Sequence, residues 1–248
     1  MSGNNHICVL LLTHEAPASV NRMHDFWARK FPQVDIIIAY GGTEENFSKL
    51  DMKSKCYISD TRLRTSDHQR EKQSYHGVMR ECIALLKDTK HQYVYFTEFD
   101  QIPASDELFE YLQKRLIDED ADALLYGLRR VDGTSSAHYL HHIVDPGFIS
   151  QFAARSVRED KNVVLSAYGF GQFWKKEAFQ TVANSNELVP SYLELWIPTV
   201  AHHLGYRLRG MEGQDQYNVV YGDFADVFKR LKNNGAWCVH PVKNFWCQ

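Results

Sequence analysis

The stretch ICVLLL at residues 7–12 is a continuous apolar run. A strand covered on both faces has this composition, and such strands belong to parallel sheets with helices on either side. Further apolar runs alternate downstream with apolar stripes at helical spacing. We predict strands over residues 34–40, 55–59, 93–96 and 123–128, and helices over residues 19–31, about 69–87 and about 103–117.

This alternation over the first 130 residues predicts an α/β fold with a mainly parallel, twisted sheet flanked by helices. Ligands of such sheets bind beyond the carboxyl ends of the strands, so the loops after the first four strands define one predicted binding edge. These loops are residues 13–16, 40–43, 60–67 and 98–101. The second half of the chain is richer in loops, with a helix predicted over residues 191–204 around Pro198. We treat residues 1–248 as a single domain, with a ligand-binding half over about 1–130 and a second half over about 131–248.

Composition argues against several classes of protein. The formal net charge of -3 does not favour general nucleic-acid binding. The five cysteines are scattered without C-x-x-C spacing, so neither a disulfide framework nor a zinc knuckle is indicated. The first apolar run is far shorter than the ~20 residues that span a bilayer. We therefore expect a cytoplasmic protein without a transmembrane segment, and peripheral membrane association stays open.

Positive charge is concentrated in one part of the predicted binding edge. Its members are Arg62, Arg64, Arg70 and Lys72. Such a local patch suits a phosphate-bearing small molecule, and Arg70 and Lys72 lie in the first turns of a predicted helix. The alternative is that these two side chains merely decorate the exposed start of that helix.

Two carboxylates follow the predicted strand over residues 93–96. Glu98 and Asp100 are separated by one residue, at the position where the ligand edge of the sheet is expected. Carboxylates on such a turn can converge on a hard cation such as Mg²⁺ or Mn²⁺, which in turn binds a diphosphate. The alternative is that one carboxylate caps the next helix and the other is solvated.

The segment YVYFTEFDQIP at residues 93–103 resembles the D-x-D segment of GT-A glycosyltransferases, with Glu98 in place of the first aspartate. The order of elements resembles that family over nearly the whole chain. The resemblance implies a Rossmann-like GT-A fold whose second half binds the acceptor. It also implies a metal-dependent enzyme that transfers a sugar from a nucleotide-diphosphate sugar to an acceptor hydroxyl, with Mn²⁺ or Mg²⁺ as cofactor.

The same resemblance implies roles for individual residues. Asp100 and His240 are the expected metal ligands. Where the family often has an acidic base-binding residue after the second strand, this chain has Tyr40-Gly41-Gly42, and Asp60 is a substitute. The residues expected to contact the donor are Thr13, His14, Tyr40, Asp60, Arg70, Lys72, Glu98 and Lys243.

The segment SYLELWI at residues 191–197 resembles the helix from which inverting members supply a catalytic base, and Glu194 falls at that position. The segment lacks the adjacent second acid of the family. The histidine–lysine ending at His240 and Lys243 is more typical of retaining members. On balance the residues favour inversion, with Glu194 as the base.

Two other functions stay open. A non-catalytic sugar- or nucleotide-binding protein on the same scaffold would explain both Glu98 and the missing acid beside Glu194. A sugar nucleotidyltransferase is disfavoured, because residues 13–17 lack a glycine-rich phosphate loop. We also predict a lid over residues 134–151, where His138, His141 and His142 are an alternative zinc site.

Overall fold

The computed structural model describes residues 6–64, 75–131, 146–185, 188, 191–211, 229, 233 and 235–242. The strands are β1 (Ile7–Thr13), β2 (Asp35–Tyr40), β3 (Lys55–Tyr57), β4 (Tyr93–Glu98), β5 (Ile102–Pro103), β6 (Ala123–Tyr126), β7 (Arg129–Arg130), β8 (Leu165–Ser166), β9 (Gln172–Lys175), β10 (Leu208–Met211) and β11 (Cys238–Val239). The helices are α1 (Pro17–Lys30), α2 (Glu44–Ser48), α3 (Tyr75–Leu86), α4 (Leu108–Asp118), α5 (Pro146–Ala153), α6 (Lys176–Ala183) and α7 (Leu193–His203), with a 3₁₀ turn over Thr61–Arg64.

Within these ranges, seven strands form a central sheet in the order β10-β6-β9-β4-β1-β2-β3. Strand β9 runs antiparallel to β4 and β6, and the other neighbouring pairs are parallel. All residues of β1 are buried, and alternate ones enter two hydrophobic clusters on opposite faces of the sheet. The predicted mainly parallel α/β fold is therefore confirmed.

Most predicted helices and strands lie within a few residues of their observed positions. Helix α3 falls inside the prediction over residues 69–87, whose first residues are outside the described ranges. Helix α7 contains Pro198 in its interior, and Gly205 follows it with a φ of 95°. A glycine with left-handed backbone commonly follows the end of a helix, and the position of Gly205 after the predicted helix over residues 191–204 agrees with this. Within the described ranges, no helix combines the length and the apolar composition that crossing a bilayer requires.

The helix predicted from residue 103 was wrong at its start. Ile102 and Pro103 form the short strand β5, which pairs antiparallel with β11, and helix α4 begins only at Leu108. Proline favours the first turn of a helix, but it is also tolerated in an edge strand. Here pairing with a segment distant in the sequence favoured the strand over the helix. Directly after β5, Ala104 donates its N–H to Trp237 O at 2.7 Å.

The loop before β9 makes a close approach to the end of β4. Gly171 has a φ of 64°, and a Cβ at this position would lie 2.4 Å from Gln101 Nε2 and 2.5 Å from Tyr126 Cε2. Gln101 and Gly171 therefore pack with no room for a side chain between them. Glycine is required here for two reasons, the left-handed backbone and the missing space.

We expect Gly171→Ala to lower the free energy of unfolding by roughly 2–5 kcal/mol, since the left-handed backbone costs about 1–2 kcal/mol and overpacking about 1–3 kcal/mol. The control is Gly235→Ala, because Gly235 has a φ of 80° and no atom of the described residues lies within 4 Å of an added Cβ. That variant should lose only about 1–2 kcal/mol, the cost of the left-handed backbone. Denaturant unfolding measures both losses, and equal losses would show that the space around Gly171 is not tight.

Candidate metal centre and adjoining cleft

The acidic turn is formed where β4 leaves the sheet. Glu98 is the last residue of β4, and the turn closes when Gln101 donates its N–H to Glu98 O at 3.2 Å. The Gln101 side chain is fully buried. Its Oε1 accepts hydrogen bonds from Tyr95 Oη at 3.0 Å and from the Thr97 hydroxyl. The turn that carries Glu98 and Asp100 is thus fixed from beneath by two strand residues.

His240 reaches this turn through the ladder between β5 and β11. It directly follows β11, and two residues later Val242 donates its N–H to Asp100 O at 2.8 Å. The imidazole stacks on Phe170, with ring centroids 3.4 Å apart and planes inclined by 24°. Backbone pairing therefore places His240, and ring stacking orients it.

Glu98, Asp100 and His240 form a candidate metal centre. Each offers one ligand atom, and these atoms all lie within 4.8 Å of one another. Carboxylate oxygens with one imidazole nitrogen suit Mn²⁺, and oxygen ligands suit Mg²⁺. The sequence prediction placed these same three residues at the metal and the donor, and the fold brings them together.

A simple ion pair between Asp100 and His240 is the competing explanation. Asp100 Oδ1 and His240 Nε2 are 3.2 Å apart, but Asp100 Oδ1 is buried and makes no hydrogen bond to any described residue. A buried carboxylate oxygen that makes an ion-pair contact but no hydrogen bond is incompletely satisfied, which is costly. A divalent cation between the two side chains would satisfy this atom, so the residues present fit a metal better than an ion pair.

A cleft adjoins the candidate metal centre at the carboxyl edge of the sheet. Its volume is about 340 Å³ including space open to solvent. Glu98 belongs to both the cleft and the metal centre. The cleft is lined by Leu12, Thr13, His14, Gly41, Leu63, Glu98 and Phe99.

The cleft combines backbone polar groups with aromatic edges. Its floor joins two strand ends, since Gly41 donates its N–H to Thr13 O at 2.8 Å. His14 and Phe99 lie edge to face with ring centroids 5.2 Å apart. Aromatic surface beside polar groups suits a ligand with a planar ring and a charged or hydroxylated part.

Of the residues predicted to contact the donor, Thr13, His14 and Glu98 line this cleft. Tyr40 and Asp60 are not among its described lining residues. The Tyr40 ring is buried and its hydroxyl donates to Glu15 O at 3.0 Å, so Tyr40 supports the loop after β1. Asp60 instead lies against α3, where a Cβ on Gly77 would be 3.2 Å from Asp60 Oδ2.

Arg64 was expected to belong to a phosphate-binding patch, but its guanidinium binds backbone carbonyls of its own chain. Its guanidinium donates to Gly42 O at 2.7 Å, to Ile58 O at 2.8 Å and to Asp60 O at 3.2 Å. It also lies over the Tyr57 ring, 4.9 Å from the centroid. Arg64 thus ties the ends of β2 and β3 together. Arg70, Lys72, Lys243, the histidines at 138, 141 and 142, and most of the predicted lid lie outside the described residues.

Glu194 lies in the first turn of α7 and is not a member of the metal centre. Its backbone O accepts from Ala167 N at 2.9 Å, and Leu193 packs so closely on Gly169 that a Cβ there would lie 2.3 Å from Leu193 Cδ1. The segment after Ala167 continues to Phe170, which stacks on His240. Helix α7 therefore begins against the loop that forms one side of the metal centre.

Sequence reasoning missed Gln101 and Phe170 as supports of this site. Gln101 directly follows the E-x-D segment, but the spacing of residues does not reveal that its amide is buried. Phe170 lies between Gly169 and Gly171. Glycines on both sides of a residue can indicate that the backbone approaches another element closely.

Comparison with known proteins gives similarity in structure only. No family model matches the chain, and no curated protein sequence matches it. Similar solved structures include the galactosyltransferase LgtC in complex with donor and acceptor sugar analogs, with 7% identity, a TM-score of 0.48, and coverage of 94% of this chain and 86% of that one. A glycosyltransferase involved in glycosylation of the major capsid of PBCV-1 has 10% identity and a TM-score of 0.48, over 97% of this chain and 95% of that one.

The bifunctional IspDF from Campylobacter jejuni is also similar, with 12% identity and a TM-score of 0.47 over 85% of this chain. The chain spans half the length of that protein. Since identities are this low and TM-scores lie below 0.5, any function of this chain has to be argued from its own site.

We expect Asp100→Asn to weaken Mn²⁺ binding by roughly tenfold or more, because losing a direct ligand costs at least as much as losing an outer-shell partner. Isothermal titration calorimetry with MnCl₂ measures the affinity. The matched control is Asp118→Asn, at the exposed end of α4, which should bind Mn²⁺ as the wild type does. Equal affinity of Asp100→Asn and wild type would remove Asp100 from the metal centre.

Proposed function

We propose that this protein is a metal-dependent glycosyltransferase that moves a sugar from a nucleotide-diphosphate sugar to an acceptor hydroxyl. One observation carries the proposal: Glu98 lines the cleft and also belongs to the cluster with Asp100 and His240. A nucleotide-diphosphate sugar has a planar base at one end and a charged diphosphate further along. The cleft suits the base and the cluster suits the diphosphate, and the two sites are contiguous.

In this proposal Asp100, His240 and Glu98 hold a Mn²⁺ or Mg²⁺ ion. Bound there, the ion supplies positive charge next to the diphosphate leaving group. The chain's own residues orient the donor. The strand ends at Thr13 and Gly41 line the cleft, and the rings of His14 and Phe99 offer a surface for a planar base. Lys243 and the basic residues Arg70 and Lys72 are proposed to add charge at the diphosphate.

We assign the role of general base to Glu194, which would take the proton from the acceptor hydroxyl as it attacks the sugar. One contact supports this assignment. The helix that carries Glu194 begins against the loop that holds Phe170 beside His240. A base on the acceptor side implies direct displacement and inversion at the anomeric carbon.

The donor is identified by thermal unfolding across a panel of nucleotide diphosphates and nucleotide sugars, each with and without Mn²⁺. Ligands that bind only the native state stabilise it by about 2.7 kcal/mol at a hundredfold excess over Kd. We expect a rise in Tm for one nucleotide family that depends on Mn²⁺ and disappears in Asp100→Ala. No shift with any nucleotide at millimolar concentration would overturn the proposed function.

Binding alone does not separate an enzyme from a non-catalytic binder on the same scaffold. Release of nucleoside diphosphate from the stabilising donor, followed over time with and without candidate acceptors, makes that distinction. Release of free nucleoside diphosphate also excludes a sugar nucleotidyltransferase. Such an enzyme transfers a nucleotidyl group to a sugar phosphate and releases pyrophosphate. A donor that binds with Mn²⁺ but never turns over would favour the binder.

We expect Glu194→Gln to lower kcat by roughly 10²–10⁴-fold, the usual contribution of general base catalysis. The Mn²⁺-dependent Tm shift with donor should stay unchanged, because Glu194 lies outside the metal centre. Glu177→Gln is the matched control, since Glu177 is an exposed acid in the first turn of α6. A Glu194→Gln variant with wild-type turnover would eliminate Glu194 as the base.

A further inference from the structure

Two cysteine side chains lie near each other where helix α3 packs on strand β3. Cys82 belongs to a buried hydrophobic cluster, and the Cys56 side chain packs against that cluster. Cys56 Sγ lies 4.0 Å from the backbone O of Glu81, the residue that precedes Cys82. Cys56 therefore lies beside the helical turn that carries Cys82.

Neighbouring contacts fix this register between α3 and the chain after β3. Glu81 accepts hydrogen bonds from both the backbone N and the hydroxyl of Ser59, each at 3.1 Å. One turn earlier in the helix, Gly77 lies against Asp60. The proximity of Cys56 and Cys82 is thus part of a continuous packed contact between α3 and the chain around β3.

The two thiols have unequal surroundings. Cys56 is partly exposed, on the edge strand of the central sheet, whereas Cys82 is fully buried. The hydrogen bond from Cys82 lowers the pKa of the Cys56 thiol, against the effect of its partial burial. The same hydrogen bond, together with burial, raises the pKa of Cys82 well above its usual range. Cys56 is therefore the more nucleophilic and the more accessible member of the pair.

We propose that Cys56 and Cys82 form a redox modification site that closes to a disulfide when the protein meets a hydroperoxide. The Cys56 thiolate attacks a peroxide oxygen, the O–O bond breaks, and the leaving hydroxide takes a proton to become water. Cys56 is now a sulfenic acid. The sulfur of Cys82 then attacks the sulfur of Cys56, the S–O bond breaks, and the hydroxide leaves with the Cys82 proton as a second water. Two thiols are oxidised and one peroxide is reduced.

The remaining described cysteines are poor candidates for this chemistry. Cys8 is fully buried on β1, and burial raises its pKa far above the usual range. Cys238 is buried on β11, with its sulfur 3.5 Å from Tyr95 Oη. Cys8 does lie near enough to Cys82 to influence it electrostatically, so a Cys8–Cys82 bond is the alternative product that the experiment has to distinguish.

A bond between Cys56 and Cys82 would close a ring that contains Asp60 and the turn at Thr61–Arg64. Leu63 of this turn lines the cleft. Closing a loop of this length restricts the unfolded chain and stabilises the folded protein. We expect Tm to rise by roughly 5 °C or more on oxidation and to return to its starting value on reduction.

The test uses the full chain, treated with hydrogen peroxide in excess over thiols, then denatured and alkylated. Intact mass spectrometry should show two fewer alkyl groups than in the reduced protein treated in the same way. Peptide mapping should identify one Cys56–Cys82 link that dithiothreitol removes. Cys56→Ser and Cys82→Ser should each abolish the link, and the Tm of each variant under reducing conditions reports that it is folded.

The matched control is Cys238→Ser, which should keep both the link and the rise in Tm. Trapping of Cys56 as a sulfenic acid by dimedone in Cys82→Ser would confirm the order of the two steps. A link between Cys8 and Cys82 would overturn the proposal. So would persistence of both thiols in the treated wild type, or oxidation of Cys56 to sulfinic acid there without a link.

Discussion

The short ladder between β5 and β11 is the interaction on which the candidate site depends. It joins the turn after β4 to the C-terminal segment, and the hydrogen bond from Val242 N to Asp100 O extends it to the acidic turn itself. Without this pairing, Glu98 and Asp100 would be two carboxylates at a strand end, with no imidazole to complete a metal centre. A few backbone hydrogen bonds thus bring together ligands that lie far apart in the chain.

A layer of buried side chains holds these ligands in place. Gln101 accepts from Tyr95 and Thr97, and Gly171 lets the loop before β9 pass close to Gln101. That same loop carries Phe170 against His240. At its start, Ala167 donates its N–H to Glu194 O in the first turn of α7. Packing in this layer leaves little room to move, so the ligand atoms stay near one another before any ion binds. Such preorganisation is what a metal centre requires of its surroundings.

The cleft illustrates how strand ends and side chains share the work of building a site. Its lining comes from the ends of β1, β2 and β4 and from Leu63 in the turn after β3, which the parallel sheet brings to one edge. Tyr40 and Arg64 support this edge without lining it. Tyr40 holds the loop after β1 through Glu15, and Arg64 holds the chain after β2 and β3 through backbone carbonyls. Polar side chains near a site therefore act on the backbone that shapes it as well as on ligands.

The sequence by itself determined the parallel sheet and the edge at which its ligands bind, because buried strands need continuous apolar runs and parallel strands share a carboxyl edge. It also placed Glu98 and Asp100 at that edge. Tertiary structure alone decided that Pro103 belongs to a strand and not to a helix. It also decided that Tyr40 and Arg64 donate to backbone carbonyls, and that Gln101 and Phe170 support the candidate metal centre. These outcomes depend on pairing and packing between segments distant in sequence, which local periodicity and propensity do not encode.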